Sequence, residues 1–510
     1  MSTMQGQRVL ILGLGVSGLA MARWCSRKGA QVTVVDTRQS PPQREALLRD
    51  CPQARLLCAA LNPSQFDLSP IQAVYCSPGI APAQLAPILE AAKARGIYVG
   101  GELDLFALAL STLAQTQGYA PYVLAITGTN GKTTVTSLTG RILQRAGKRV
   151  AVAGNIGPSL LDTLHAAQVQ AQLPEIWVLE LSSFQLHTLR APWNPHAATV
   201  LNLTQDHLDW HGSMDDYGRA KARIFGSGTL RVLPRDDQAL LTGLQHWTGV
   251  VGAARGRKAP APIPQCSFGL GAPSQPGDFG IASVQGLDWL VRALPDDDTR
   301  GQRELVPALH VQQLMPLEAL RIRGRHNALN AQAALALASS TGAPLGPMLS
   351  ALRDYRGEPH RVESVATIDD VEYFDDSKGT NVGATVAALR GLGAERPLVV
   401  ILGGEGKGQD FAPLAPAVAA HARAVLLIGR DAALIARSLD ACPVPMLTAG
   451  DLPEAVRQAH AQARKGDAVL LSPACASFDM FDDYAHRARV FVQAVQALAS
   501  ERGQPLPEVA

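Results

Sequence analysis

The sequence predicts an α/β protein of three domains built on mostly parallel sheets. Three observations carry that prediction. The chain has 510 residues, too many for one hydrophobic core. Short β-type apolar runs alternate with Ala/Leu-rich helical runs for most of its length, the pattern of βα units. Several of those runs end in glycine-rich or polar loops, where open parallel sheets bind ligands.

Composition narrows the class. Hydrophobic residues make up 47% of the chain and its formal net charge is +2. That balance argues against a nucleic-acid partner or a membrane-surface patch. The seven cysteines (25, 51, 58, 76, 266, 442, 475) are odd in number and form no CxxC pair. They read as reduced thiols, hence a cytoplasmic setting. No apolar run approaches the roughly 18 residues of a membrane span. The N-terminus lacks a basic-then-apolar leader.

The first block, residues 1–118, holds the strands "RVLILG" (8–13), "QVTVVD" (31–36) and "AVYCSPG" (73–79). A helix is expected from Gly18 to about Lys28, and "GELDLFALAL" reads as a helix linking to the next block. Gly13, Gly15 and Gly18 fit G-x-G-x-x-G between strand and helix, and Asp36 closes the next strand. Alone, this reads as an NAD-dependent dehydrogenase. Any other diphosphate suits the helix dipole equally, and a plain tight βα turn is the bland alternative.

The second block, 119–356, opens with "YVLAITGTNGKTT". A standard phosphate loop places four residues before Gly-Lys-Ser/Thr; here only two separate Gly128 from Gly131. Backbone N–H groups and Lys132 still face one point, and Thr133 is placed to reach a magnesium ion. Glu180 ends the strand "IWVLE", either as a metal-holding acid or as a salt-bridged sheet-end glutamate. Asp206, His207, Asp209 and His211 share one strand-end loop; such donors suit Mg²⁺ or Mn²⁺. By spacing alone Lys221 reads as an exposed helix lysine. Residues 250–306 read as a loop-rich insertion with a few antiparallel strands. Asn327 and Asn330 share a helix face.

In the third block, 357–510, the strands "EYFD", "PLVVILGG", "AVLLIGR" and "AVLLSPA" end in loops that should converge. Those loops carry Asp376, Lys378, Thr380, Asn381 and Lys407, with Ser477 and Phe478 expected at a helix start. Lysines, hydroxyls and helix N-termini together make an anion pocket.

From "TGTNGKTT" through "GNIG", "LELSSFQL", "DHLDWHG", "RAKARIF", "GRHNALNAQAALA", "HRVE", "DDSKGTN" and "GGEGKGQD" to "LLSPACASFDMF", the motifs follow in order. Together they resemble the Mur ligase family. "GLGVSG", "DSKGTN" and "SPACASFD" narrow the resemblance to its D-glutamate-adding branch, over residues 8–495. The resemblance implies a Rossmann-like N-terminal domain, a central P-loop-type ATPase domain and a Rossmann-like C-terminal domain. It implies an ATP-dependent ligase of peptidoglycan precursor synthesis, cytoplasmic and monomeric. The carboxylate of UDP-N-acetylmuramoyl-L-alanine attacks the γ-phosphate of ATP, and the amine of D-glutamate displaces phosphate from the acyl phosphate.

Carried over residue by residue, Val16, Ser17, Asp36, Thr37 and Arg38 contact the uridine diphosphate, with Ser77 and Gly79 nearby. Asn155 holds the muramoyl part. ATP falls to Gly128, Thr129, Asn130, Gly131, Lys132, Thr133 and Thr134, with Asn330 on adenine, Arg361 on phosphate and Asp376 on ribose. Lys132, His207 and Lys221 are the catalytic residues the resemblance implies. Two Mg²⁺ ions (Mn²⁺ as a substitute) would take Thr133 and Glu180, and His207 with a Lys221 carbamylated by CO₂. D-glutamate falls to Lys378, Thr380, Lys407, Ser477, Phe478 and Tyr484, the last standing where the family commonly has Phe. Closure of the third domain before chemistry is expected. The rivals are a ligase for a different amino acid, a dinucleotide-binding oxidoreductase and a non-catalytic scaffold.

Overall fold

The computed structural model describes residues 4–248, 264–295 and 309–504. Part of the expected 250–306 insertion therefore lies outside the described residues.

The N-terminal sheet contains β1 (Arg8–Leu12), β2 (Gln31–Asp36), β3 (Arg55–Cys58), β4 (Ala73–Cys76) and β5 (Tyr98–Gly100). Its order is β3-β2-β1-β4-β5, all parallel. This is a Rossmann half with its switch point between β1 and β4. Every residue of β1 after Arg8 is buried, as expected of a parallel strand covered on both faces. The first helix runs Val16–Arg27, starting two residues earlier than the sequence suggests. A Cβ on Gly18 would stand 2.0 Å from the Gly13 carbonyl oxygen, so only glycine lets the helix pack this tightly on the turn.

The central sheet contains β6 (Tyr122–Thr127), β7 (Val150–Gly154), β8 (Ile176–Glu180), β9 (Ala197–Val200), β10 (Leu230–Pro234) and β11 (Gln265–Phe268). Its order is β11-β10-β9-β6-β8-β7, and each pair is parallel. β11 corrects the sequence reading: it lies inside the expected insertion yet extends the main sheet. The expected antiparallel strands are β12 (Phe279–Val284) and β13 (Leu287–Pro295); β14 (Leu309–Pro316), beyond the expected bound, joins them in their own sheet. The Ala-rich helix Arg325–Ser339 and the helix Lys132–Arg145 share one apolar cluster, which fixes Asn330 beside the glycine loop.

The C-terminal sheet contains β15 (Glu363–Ile368), β16 (Val371–Asp375), β17 (Leu398–Gly403), β18 (Ala422–Ile428), β19 (Met446–Thr448) and β20 (Ala468–Leu471). Its order is β15-β16-β20-β17-β18-β19. β15 is antiparallel to β16 and the rest are parallel. Ser477 and Phe478 do not open a helix; the helix begins at Tyr484. Ala476 and Glu405 instead exchange backbone hydrogen bonds of 2.9 and 3.0 Å, and Ser477 opens only a turn, its carbonyl accepting the Met480 and Phe481 N–H groups at 3.1 and 2.8 Å. Asp483 caps the later helix through the His486 N–H.

The N-terminal and central regions are cross-tied. Asp104, fully buried on the connecting helix Glu102–Gln117, accepts the Arg190 and Ala191 N–H groups at 2.6 and 2.7 Å. Arg23 pairs with Asp162 at 3.0 Å. All seven cysteines are free. Among the described residues no helix is long and apolar enough to cross a membrane.

Candidate active site

The site grows from the turn after β6. Gly131 adopts φ 81° and caps the helix Lys132–Arg145 without a side chain, so the first-turn N–H groups gain no side-chain acceptor and suit an anion. A Cβ on Gly131 would come within 2.6 Å of the Asn330 Oδ1. Asn330 in turn donates to Asn327 at 3.0 Å, the expected shared face. The Lys132 Nζ folds back and donates to the Gly128 and Thr129 carbonyls at 2.9 and 2.8 Å. Asn202 pins the same turn, accepting the Asn130 N–H at 2.9 Å and donating to the Asn130 carbonyl at 3.1 Å. Thr134 is buried beneath the turn.

Lys221 is not the exposed lysine its spacing suggests. It is 1% exposed, donates to the same Gly128 carbonyl at 2.8 Å and lies 4.4 Å from the Tyr217 ring centroid. Burial first, and the neighbouring Lys132 charge second, push its amine well below the ordinary lysine range. Burial also lowers Lys132, with Glu180 opposing.

Among the described residues Glu180 has no salt-bridge partner either. Its Oε1 accepts from the Asn155 amide at 2.8 Å, while its buried Oε2 has no partner. A buried carboxylate oxygen left unpaired is costly without a cation. His207 takes a left-handed backbone, φ 54°, at the mouth of the loop. Its Nε2 stands 3.6 Å from Asp206, and burial lowers its pKa against the pull of Asp206. His211 turns inward to the Ser183 hydroxyl at 2.9 Å, and burial pushes it down to about 3. The other ring nitrogen of His211, Nδ1, is buried with no hydrogen-bond partner among the described residues.

A cleft of about 290 Å³ joins the glycine loop to the C-terminal loops; Lys132, His207, Arg361, Lys378, Thr380 and Lys407 are among its lining residues. The Arg361 guanidinium crosses to the Thr133 hydroxyl at 2.7 Å. The Lys378 Nζ lies 3.6 Å from the Tyr484 ring centroid, and burial, then Arg361, bring it down to about 8. Asp376 accepts from the Ser472 hydroxyl at 2.6 Å, and burial raises its carboxyl to about 7. Ser477, Phe478 and Tyr484 are not part of the cleft lining. Ser477 is buried. Phe478 is 65% exposed, its ring centroid 5.6 Å from the Lys407 Nζ.

In the N-terminal sheet Asp36 accepts the Leu14 N–H at 2.7 Å and the Arg38 guanidinium at 2.8 and 2.7 Å. The Arg38 partnership chiefly holds it at about 2. Val16, Thr37, Arg38 and Gly79 are exposed, Ser17 half-buried and Ser77 buried. Asn155 is exposed at the edge of the central site. Trp210 ties the two regions by donating to the Ile80 carbonyl at 3.2 Å.

Sequence reasoning missed Asn202, Tyr217 and the His360 pair with Asp375 at 2.7 Å. Asn202 follows an apolar strand in "TVLNLT", a strand-end position that could have flagged it. The other two carry no spacing signal.

The family models match in chain order. A Mur ligase MurD-like N-terminal domain covers residues 7–101, a Mur ligase middle domain 126–255, and a Mur ligase glutamate ligase domain 360–475. The chain is 57% identical to the UDP-N-acetylmuramoylalanine–D-glutamate ligase of Albidiferax ferrireducens, over 99% of this chain and 98% of the relative. The protein of the same name from Burkholderia multivorans is 54% identical, over 98% of each. Among solved structures, the Thermotoga maritima MurF ligase in complex with ADP superposes with a TM-score of 0.56 at 15% identity, over 98% of this chain and 96% of that one. The UDP-N-acetylmuramate–alanine ligase of the same organism gives 0.53 at 19% identity, over 96% and 99%; these two likenesses speak for the fold alone. With three domain models in order and relatives more than half identical along nearly the whole length, the chain belongs to the Mur ligase family.

Proposed function

We propose that this chain is the ATP-dependent ligase that adds D-glutamate to UDP-N-acetylmuramoyl-L-alanine in cytoplasmic peptidoglycan precursor synthesis. The observation that carries the reading is the cleft in which Lys132 from the glycine loop meets Arg361, Lys378 and Lys407 from the C-terminal segment. A carboxylate must approach the γ-phosphate of ATP, anion against anion. Cations on both walls offset that repulsion and stabilise the charge on the transferring phosphoryl group.

In this reading the first-turn N–H groups and Lys132 hold the phosphates. Asn330 faces the adenine, Asp376 the ribose and Arg361 a phosphate. The substrate carboxylate forms a bond to the γ-phosphorus, ADP leaves, and the free amine of D-glutamate then expels phosphate from the acyl carbon. Lys378, Thr380 and Lys407 receive the two carboxylates of D-glutamate, while Ser477, Phe478 and Tyr484 shape the pocket's far side. Asp36 with Arg38, and Val16, Ser17, Thr37, Ser77 and Gly79 around the first turn, take the uridine diphosphate. Asn155 takes the muramoyl part.

The donor set fits divalent cations: Glu180 has one buried oxygen unpaired, and the lowered pKa of His207 leaves a neutral ring nitrogen. Thr133 and Glu180 would hold one Mg²⁺, His207 and Lys221 a second, and the ions, when bound, would neutralise phosphoryl charge. Lys221 becomes an oxygen donor once its free amine captures CO₂ as a carbamate and releases a proton. The depressed pKa supports this, because only the neutral amine attacks CO₂.

The test is amide formation from UDP-N-acetylmuramoyl-L-alanine, ATP and Mg²⁺ with D-glutamate, L-alanine, meso-diaminopimelate or L-lysine supplied separately. Product with D-glutamate alone is expected; preference for another amino acid would move the chain to a different branch of its family.

A further inference from the structure

Asn381 sits where the C-terminal segment meets the central one, and its side chain makes four hydrogen bonds. Its Oδ1 accepts the Ala384 N–H at 2.9 Å, capping the helix Val382–Gly393. That bond fixes the amide's orientation, because the opposite face could not accept a backbone donor. The Nδ2 then donates to the Asn130 Oδ1 at 3.1 Å and to the Asp206 Oδ2 at 3.2 Å. Asn130 returns a longer bond, 3.4 Å, from its own Nδ2 to the Asn381 Oδ1. Asn381 is 5% exposed, so losing these partners would leave a buried amide unpaired, which is costly.

The partners matter more than the count. Asn130 belongs to the glycine loop, and Asp206 adjoins His207. One amide thus reads three things at once: the C-terminal helix is capped, the glycine loop is in place, and the Asp206 loop is in place. Two neighbours reinforce the fit. A Cβ on Gly383 would stand 2.5 Å from the Thr204 hydroxyl, so the helix start approaches the central loop closely. Thr204 itself binds the turn, its N–H donating to the Thr129 hydroxyl at 3.0 Å.

We propose that Asn381 is a positioning residue, a latch that holds the C-terminal segment docked on the glycine loop and the Asp206 loop during catalysis. It lines the same cleft, and its role runs through the loops it ties. It acts by favouring the docked arrangement in which Arg361, Lys378 and Lys407 reach the same cleft as Lys132. The proposal rests on the ligase reading above for its activity readout, but not for its conformational one.

Two variants separate latch from cap. Asn381→Ser keeps a capping oxygen but is too short to reach Asn130 and Asp206. Asn381→Asp keeps cap and length, yet sets a carboxylate against Asp206. X-ray scattering of the full chain with a non-hydrolysable ATP analogue and UDP-N-acetylmuramoyl-L-alanine reads docking directly. Asn381→Ser is expected to be less compact than the parent and to lose about tenfold in kcat, with little change in binding of the UDP-substrate alone. Asn381→Asp is expected to lose more, and adding Asp206→Asn to it should restore compaction by removing the repulsion. Wild-type compaction in both variants, equal loss in both, or no recovery in the double variant would each overturn the latch. If the parent chain forms no amide with D-glutamate, the ligase reading fails while the scattering comparison still decides the latch.

Discussion

Two strand–glycine–helix turns, at Gly13–Gly18 and at Gly128–Lys132, look alike in sequence and differ in what surrounds them. At the first, Asp36 is in a closed pair, satisfied by the Leu14 N–H and by Arg38. At the second, two lysines reach one carbonyl, that of Gly128, and a buried Glu180 oxygen has no partner. The turn shape makes room for a diphosphate in both places. In the proposed reading, the unpaired charges separate a turn that only holds a nucleotide from one that works on it.

That contrast breaks first at Lys132. Lys132→Ala should lower ADP release about a thousandfold, the scale of losing a phosphoryl-charge stabiliser. Binding of the UDP-substrate, measured by calorimetry, should be unchanged. Loss of that binding instead would mean the two turns are not separate sites.

Lys221→Ala should cost about a hundredfold or more, and millimolar acetate or formate should restore part of the rate by supplying the missing oxygen donor. Full activity without added carboxylate would remove the carbamate from the account.

At the first turn the expected effects are smaller and of another kind. Asp36→Asn weakens its pairing with Arg38 and should raise KM for the UDP-substrate about tenfold while leaving kcat within about twofold. A fall in kcat with KM unchanged would place Asp36 in the chemistry.

The smallest effect concerns Glu102, buried beside the Ser17 hydroxyl and accepting the Leu161 N–H at 3.3 Å. Burial raises its pKa from 4.5 to about 7. The folded chain therefore holds this proton more tightly than the unfolded chain, and the associated stability is full below 4.5 and lost as pH rises through about 7. Glu102→Gln should flatten the pH dependence of the urea midpoint in that window, by on the order of 1 kcal/mol. An unchanged slope would show that Glu102 titrates normally.

Much of this was legible in the sequence because it lies at the ends of buried apolar strands. β1, β6, β8, β17 and β20 are buried nearly end to end, and the polar loops that follow them hold most of the site. The missed strands are short and partly exposed, such as β3 and β19, where the apolar signal is weak. Lys221 shows the deeper limit. Nothing in "YGRAKARIF" says which helix face is covered; the glycine turn that buries it is 93 residues away in the chain. Asp375 and His360 meet the same way, through strand pairing that spacing does not encode. The expected helix at Ser477 stops at a single turn, just after the bridge that ties Ala476 to Glu405 on a different strand's loop.

The central claim is that the substrate's own carboxylate takes the γ-phosphoryl group at the Lys132 turn. The direct test is turnover of UDP-N-acetylmuramoyl-L-alanine carrying ¹⁸O at both oxygens of its alanyl carboxylate, followed by mass analysis of the released phosphate. The account predicts one labelled oxygen in each phosphate, and ADP as the nucleotide product. Unlabelled phosphate, or AMP with pyrophosphate, would contradict it.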